Sequence, residues 1–184
     1  MSQVAIFVEG KTDKKFIGLL LNEMGLDKDK VKFFILGGKS NFFKPESNQY
    51  KELLVDIEQE IVEKVLFVLD ADKVEDNKKY GGYDNTEKEL IEAISALGIQ
   101  NSDIYIMCDP TDKTGYLESL ILSSISVEQK QCIDNFLSCS EFKDKESHKA
   151  ILYKIYKIAY PQAPYDFSHK NFEPLKGKFK QLFQ

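Results

Sequence analysis

Two apolar runs end on acids: "VAIFVEG", with Glu9 after Val8, and "VLFVLDADK", with Asp70 and Asp72 after Leu69. Successive side chains of a strand point to opposite faces, so Asp70 and Asp72 share a face if the strand persists that far, with only the small Ala71 between them. Carboxylates held together repel, and a shared proton or a bound cation relieves the repulsion. An oxygen-only donor set suits Mg²⁺ or Mn²⁺, which keep several waters and take one or two protein carboxylates. No histidine lies near these acids in the chain, so zinc is a poor match. If the strands ending at Glu9 and Asp70 are neighbours, about 4.8 Å apart, three carboxylates converge on one point of the sheet edge. Asp13 falls in the first turn of the following helix, where the helix dipole favours its charge and the same cavity is within reach. Each acid also has a plain structural use, Asp72 in a turn and Asp13 as a cap. Strand-end acids recurring in one chain favour the chemical reading.

Two further stretches imitate a phosphate loop, "GKT" at Gly10 and "GGKS" at Gly37. A full loop needs a glycine five residues earlier, so that successive N–H groups wrap the phosphates. Ala5 and Phe33 stand there instead, inside the strands. What remains is a glycine beside a helix start, able to accept an anion at Gly10, with Lys11 and Lys39 as nearby cations.

These residues need a scaffold that brings strand ends together. Continuous apolar runs at Val4 to Val8, Val31 to Leu36, Val65 to Leu69 and Ile104 to Met107 read as strands buried on both faces. Between them, helical spacing joins Phe16, Leu19, Leu20 and Met24 up to Gly25, after a cap at Thr12 or Asp13. It joins Leu53, Leu54, Ile57 and Ile61 within Tyr50 to Val62. A third stripe, Leu90, Ile91, Ile94 and Leu97, follows a cap at Asn85 or Thr86 and stops at Gly98. Alternating strands and helices predict an α/β fold: a Rossmann-like three-layer sandwich on a mostly parallel four-stranded sheet. In such sheets ligands sit beyond the carboxyl ends of the strands, where Glu9, Gly37, Asp70 and Asp109 fall. Residues 1–125 form this unit. Residues 126–184 read as a helical extension packed on it, with helices over Val127 to Leu137 and Ser147 to Tyr160, then "YPQAPYDF" and a Lys-rich tail. That tail reads as a solvated face.

The chain has 184 residues, 42% of them hydrophobic, enough for one domain with a sizeable core. Its net charge of −5 excludes a global field for nucleic acid, so any such contact must be local. Three cysteines with no C-x-x-C pair form neither a disulfide framework nor a thiolate zinc site. The opening residues lack a basic leader and a membrane-length apolar run, and the expectation is a cytoplasmic protein without membrane contact.

A strand ending in Glu-Gly, an acid four residues after the glutamate, and a later strand ending in Asp-x-Asp together resemble the Toprim fold of topoisomerases, primases and related nucleases. "VEGKTDKKF" is most similar to the overcoming-lysogenization-defect (OLD) nuclease branch, and the resemblance runs from Val4 to Leu122. It implies a Toprim-like fold and metal binding by Glu9, Asp13, Asp70 and Asp72, with Glu118 of "GYLESLIL" as the further glutamate of that branch. It also implies Mg²⁺-dependent (or Mn²⁺-dependent) phosphodiester hydrolysis of DNA or RNA. In that reaction Glu9 acts as acid or base, and Lys73, which replaces the acid or glycine of topoisomerases, contacts phosphate beside Lys11 and Lys39. The topoisomerase tyrosine domains and primase modules have no counterpart here, nor does the OLD ATPase part. The expectation is a stand-alone nuclease domain, or one half of a system with a separate ATPase partner. The alternative is a module of the same fold that binds a nucleotide, phosphate or partner protein without catalysis.

Overall fold

The computed structural model describes residues 3–140 and 165–184. Four strands, β1 (Gln3–Val8), β2 (Val31–Ile35), β3 (Val62–Asp70) and β4 (Ser102–Met107), form one parallel sheet in the order β2-β1-β3-β4. The two central strands pair directly, Phe7 opposite Phe67, so the ends at Glu9 and Asp70 are neighbours.

Strand alternation sorts the core into two halves. Val4, Ile6 and Val8 of β1, with Leu66 and Val68 of β3, pack under α1 (Lys11–Glu23), α4 (Leu117–Leu122) and α6 (Glu173–Leu182). Ala5, Phe7, Val65, Phe67 and Leu69 face the other side, under α2 (Asn48–Glu58) and α3 (Tyr83–Leu97). There Phe7 stacks on Phe34 at 4.6 Å and on Tyr50 at 5.2 Å, packing worth more than its area alone. Helices on both faces explain why each strand is an unbroken apolar run.

The α2 stripe ends earlier than its spacing predicts. The helix stops at Glu58, Glu60 takes a left-handed φ of 56°, and Val62 begins β3, so Ile61 is a linker residue. Leu54 and Ile91, both placed on buried stripes by periodicity, are 37% and 52% exposed. The buried faces run instead through Tyr50 and Leu53 of α2, and through Leu90, Ala93 and Ile94 of α3. Thr86 is not the cap of α3, which starts at Tyr83 behind Gly82. Its buried hydroxyl lies 2.7 Å from the carbonyls of both Tyr80 and Gly82 and shares its one proton between them.

The Lys-rich tail is also more than a solvated face. Its helix α6 places Leu175, Phe179 and Leu182 in the core, while Lys178 reaches Asp103 at the start of β4, 2.7 Å away. Helix α5 (Val127–Cys139) forms where the sequence indicates. The helix expected over Ser147 to Tyr160 lies outside the described residues. Among the described residues, no helix is long and apolar enough to cross a membrane.

Candidate metal and phosphate site

At the carboxyl edge of the sheet, Glu9 leaves β1 and its Oε1 accepts the backbone N–H of Asp70, 3.0 Å away on β3. This bond exists because β1 and β3 are adjacent and end at the same level. Asp70 Oδ1 in turn accepts the N–H of Leu117, at 3.0 Å, which docks the start of α4 against the strand end. Glu118 is therefore the next residue along from a group bonded to Asp70, and it is half-buried. Asp13, buried in the first turn of α1, accepts the Gly10 N–H through Oδ2 at 2.8 Å.

Asp72 reaches the rim by a different route from simple alternation. The strand stops at Asp70, and Asp72 sits at φ 60°, a left-handed conformation that aspartate tolerates better than most residues. Its backbone makes an isolated antiparallel bridge to Gly115, with the Asp72 N–H donating to the Gly115 carbonyl at 2.6 Å. A left-handed backbone locked by that bridge keeps Asp72 buried beside the site.

Lys39 differs most from expectation. Sequence offered it as a candidate to hold phosphate; it is 7% exposed and its Nζ donates to the Ala71 carbonyl at 2.7 Å. The same ammonium stands 3.5 Å from Asp72 Oδ2. It threads inward because Gly38, at φ 148°, turns the chain into the short 3₁₀ segment Lys39–Phe43. Burial lowers the Lys39 pKa, and the surrounding Asp72 and Glu9 charges oppose that shift. No signal in the sequence separates this buried lysine from an exposed one. Lys11 and Lys73 are exposed, as a phosphate contact requires. The Gly10 N–H is already engaged by Asp13.

Burial dominates the electrostatics of Glu9, and two of the aspartates add to it. Burial pushes the Glu9 carboxyl up from 4.5 to about 7, the Asp70 N–H opposes this, and the Asp72 and Asp13 charges add to the rise. Asp72, Asp70 and half-buried Glu9 act on the buried Lys39 ammonium, and Asp13 acts on Glu9. Among the described residues, no three His, Cys, Asp or Glu side chains already stand around a single point. The carboxylates are instead turned onto backbone N–H groups and Lys39. Their chemistry, oxygen donors only, is of the kind that Mg²⁺ or Mn²⁺ takes.

A three-layer α/β sandwich with its acids at the carboxyl edge of a parallel sheet defines the class, a Rossmann-like fold. Within that class the chain belongs to the DUF3226 family, described as a protein of unknown function, whose family model matches residues 3–172. No curated protein and no solved structure matches the chain.

Proposed function

We propose that this protein is a Toprim-type, Mg²⁺-dependent phosphodiesterase that hydrolyses DNA or RNA. The observation that carries the reading is the bond from the Asp70 N–H to Glu9 Oε1, which ties the two diagnostic strand ends into one site. Asp70 and Asp72, with Asp13 and Glu118, are the residues to hold a cation. When bound, it would neutralise charge developing on the scissile phosphate.

The protein's own groups do the rest. Glu9, with a pKa of about 7, can take a proton from the attacking water or return one to the leaving oxygen, since general catalysis works best near the operating pH. Oε1 is held by the backbone, so Oε2 is the atom that carries the proton. Exposed Lys11 and Lys73 flank the rim and can hold phosphate oxygens. Asp72, fixed by its bridge to Gly115, keeps Lys39 oriented among the acids. A separate ATPase partner fits a chain whose two phosphate-loop imitations lack the defining glycine.

Lys39 favours a second reading: an internal ammonium already offsets part of the negative charge, as in a module that binds phosphate without cutting. A cleavage assay on single- and double-stranded DNA and RNA with Mg²⁺ or Mn²⁺ separates the two. The nuclease reading expects cleavage that Asp70→Asn and Glu9→Gln each reduce at least a hundredfold while the fold survives. Cation binding with no turnover on any of the four substrates would select the module.

A further inference from the structure

Beside the carboxylate rim two aromatic rings stack face to face: Phe43 and Tyr80, with centroids 4.2 Å apart and planes 14° from parallel. They come from different loops, Phe43 from the end of the 3₁₀ segment and Tyr80 from the loop between β3 and α3. Both loops are tied to the same atom, the Ala71 carbonyl between Asp70 and Asp72. Lys39, four residues before Phe43, donates to it at 2.7 Å, and the Gly82 N–H, two residues after Tyr80, donates at 3.0 Å. The Thr86 hydroxyl stands within reach of both the Ala71 and Tyr80 carbonyls. The stack therefore has a fixed position relative to the acids, although neither ring is fully buried.

Its surroundings are as informative as its position. Exposed Lys79 lies over the Tyr80 ring, 4.7 Å from its centroid, and Lys44 and Lys78 are exposed on the same loops. Glu46, Glu75 and Asp76 alternate with them, so these loops present no large basic field. Phe43 packs inward against the core and Tyr80 lies on it, so the outer Tyr80 face, under Lys79, is the one a base takes; one such face with a few cations and balanced charge suits an unpaired base and one adjacent phosphate better than a duplex backbone. A base offers its face only when it is out of a helix, which selects single strands.

We infer that the Phe43–Tyr80 stack is a base-stacking platform that positions single-stranded nucleic acid, DNA or RNA, for the carboxylate rim. The inference rests on the nuclease reading for its purpose but not for its test. Stacking on an aromatic ring is worth about 1–3 kcal/mol per base, or roughly a 5- to 150-fold change in affinity. The Lys79 side chain, solvent-exposed over the ring, is a cover that an incoming base displaces.

The chain has no tryptophan, so Tyr80→Trp places one indole emitter at the platform. With metal chelated, single-stranded oligothymidylate or oligouridylate is expected to quench that emission, whereas an abasic oligomer of equal length and charge does not. The stronger quencher of the two identifies the sugar. In the unmodified protein, the base-bearing oligomer is expected to outcompete the abasic one about tenfold. Under cleavage conditions, Phe43→Leu and Tyr80→Leu should raise KM about tenfold at constant kcat. Equal binding of abasic and base-bearing oligomers, or an unchanged KM in both leucine variants, overturns the platform. The failures separate cleanly: quenching in a protein that cuts nothing retires the nuclease reading and keeps the platform. Cleavage lost in Asp70→Asn with no base dependence of binding does the reverse.

Discussion

Glu9 is held in a conflict that its substitution should expose. Its carboxyl is pushed up to about 7 first by burial and then by Asp72 and Asp13, so the folded state prefers it protonated more than the unfolded chain does. The stability this contributes is complete below the ordinary value of 4.5 and is lost as pH rises through about 7. Glu9→Gln keeps an acceptor for the Asp70 N–H and removes the titration. Denaturant unfolding across that window should show the wild type losing on the order of 2 kcal/mol more than the variant, which is then the more stable protein at alkaline pH. On the proposed nuclease reading the same change also removes the proton-transfer group, so stability and cleavage should move in opposite directions. A merely structural glutamate would show the same pH slope with cleavage unchanged.

At the scale of elements, α4 docks on the rim while α6 packs into the same core half and ties to the starts of β3 and β4. Gly115 stands at φ 93° and pairs with Asp72, and a Cβ there would run into the Ser119 side chain at the start of α4. Gly115→Ala should therefore cost about 1–3 kcal/mol by strain and clash. It should also weaken cation binding in a calorimetric titration, because the bridge that sets Asp72 is disturbed. Helix α6 contributes through its core. Phe179 is fully buried, so Phe179→Ala is expected to cost about 3–5 kcal/mol in thermal or denaturant unfolding. A tail lying in solvent would cost almost nothing.

The four strands and the site at their carboxyl ends were legible in the sequence because two-sided burial leaves continuous apolar runs and the acids interrupt them abruptly. The helix α6 was not, since its three buried apolar residues, Leu175, Phe179 and Leu182, are spaced among lysines that mask the stripe. The burial of Lys39 was not legible for a related reason: sequence shows charge but not direction, and the turn at Gly38 sends the ammonium inward. The convergence of Asp72 was expected from strand alternation, yet it arises from a left-handed residue and a bridge to Gly115, a long-range pairing that no local pattern encodes.

For the molecule as a whole, a net charge of −5 means that nucleic acid is not held by a broad field. Binding should rely on a few lysines, the rim and, when present, a cation. With Lys11, Lys73 and Lys79 as the exposed contacts, the slope of log affinity against log salt for a single strand should be about −2. Fluorescence anisotropy over a salt series reads this directly. A slope several times steeper would reveal a basic surface that the described residues do not contain. The family model spans residues 3–172, which include all four strands and Lys11, Lys73 and Lys79.

The central claim, that strand-end acids are gathered to receive a divalent cation, is tested most directly by calorimetric titration of Mn²⁺ into the wild type and Asp70→Asn. Saturable binding by the wild type, weakened at least tenfold in the variant, is the predicted result. Identical isotherms, or no heat from either protein, would contradict it and leave Lys39 as the only cation this cluster was built to hold.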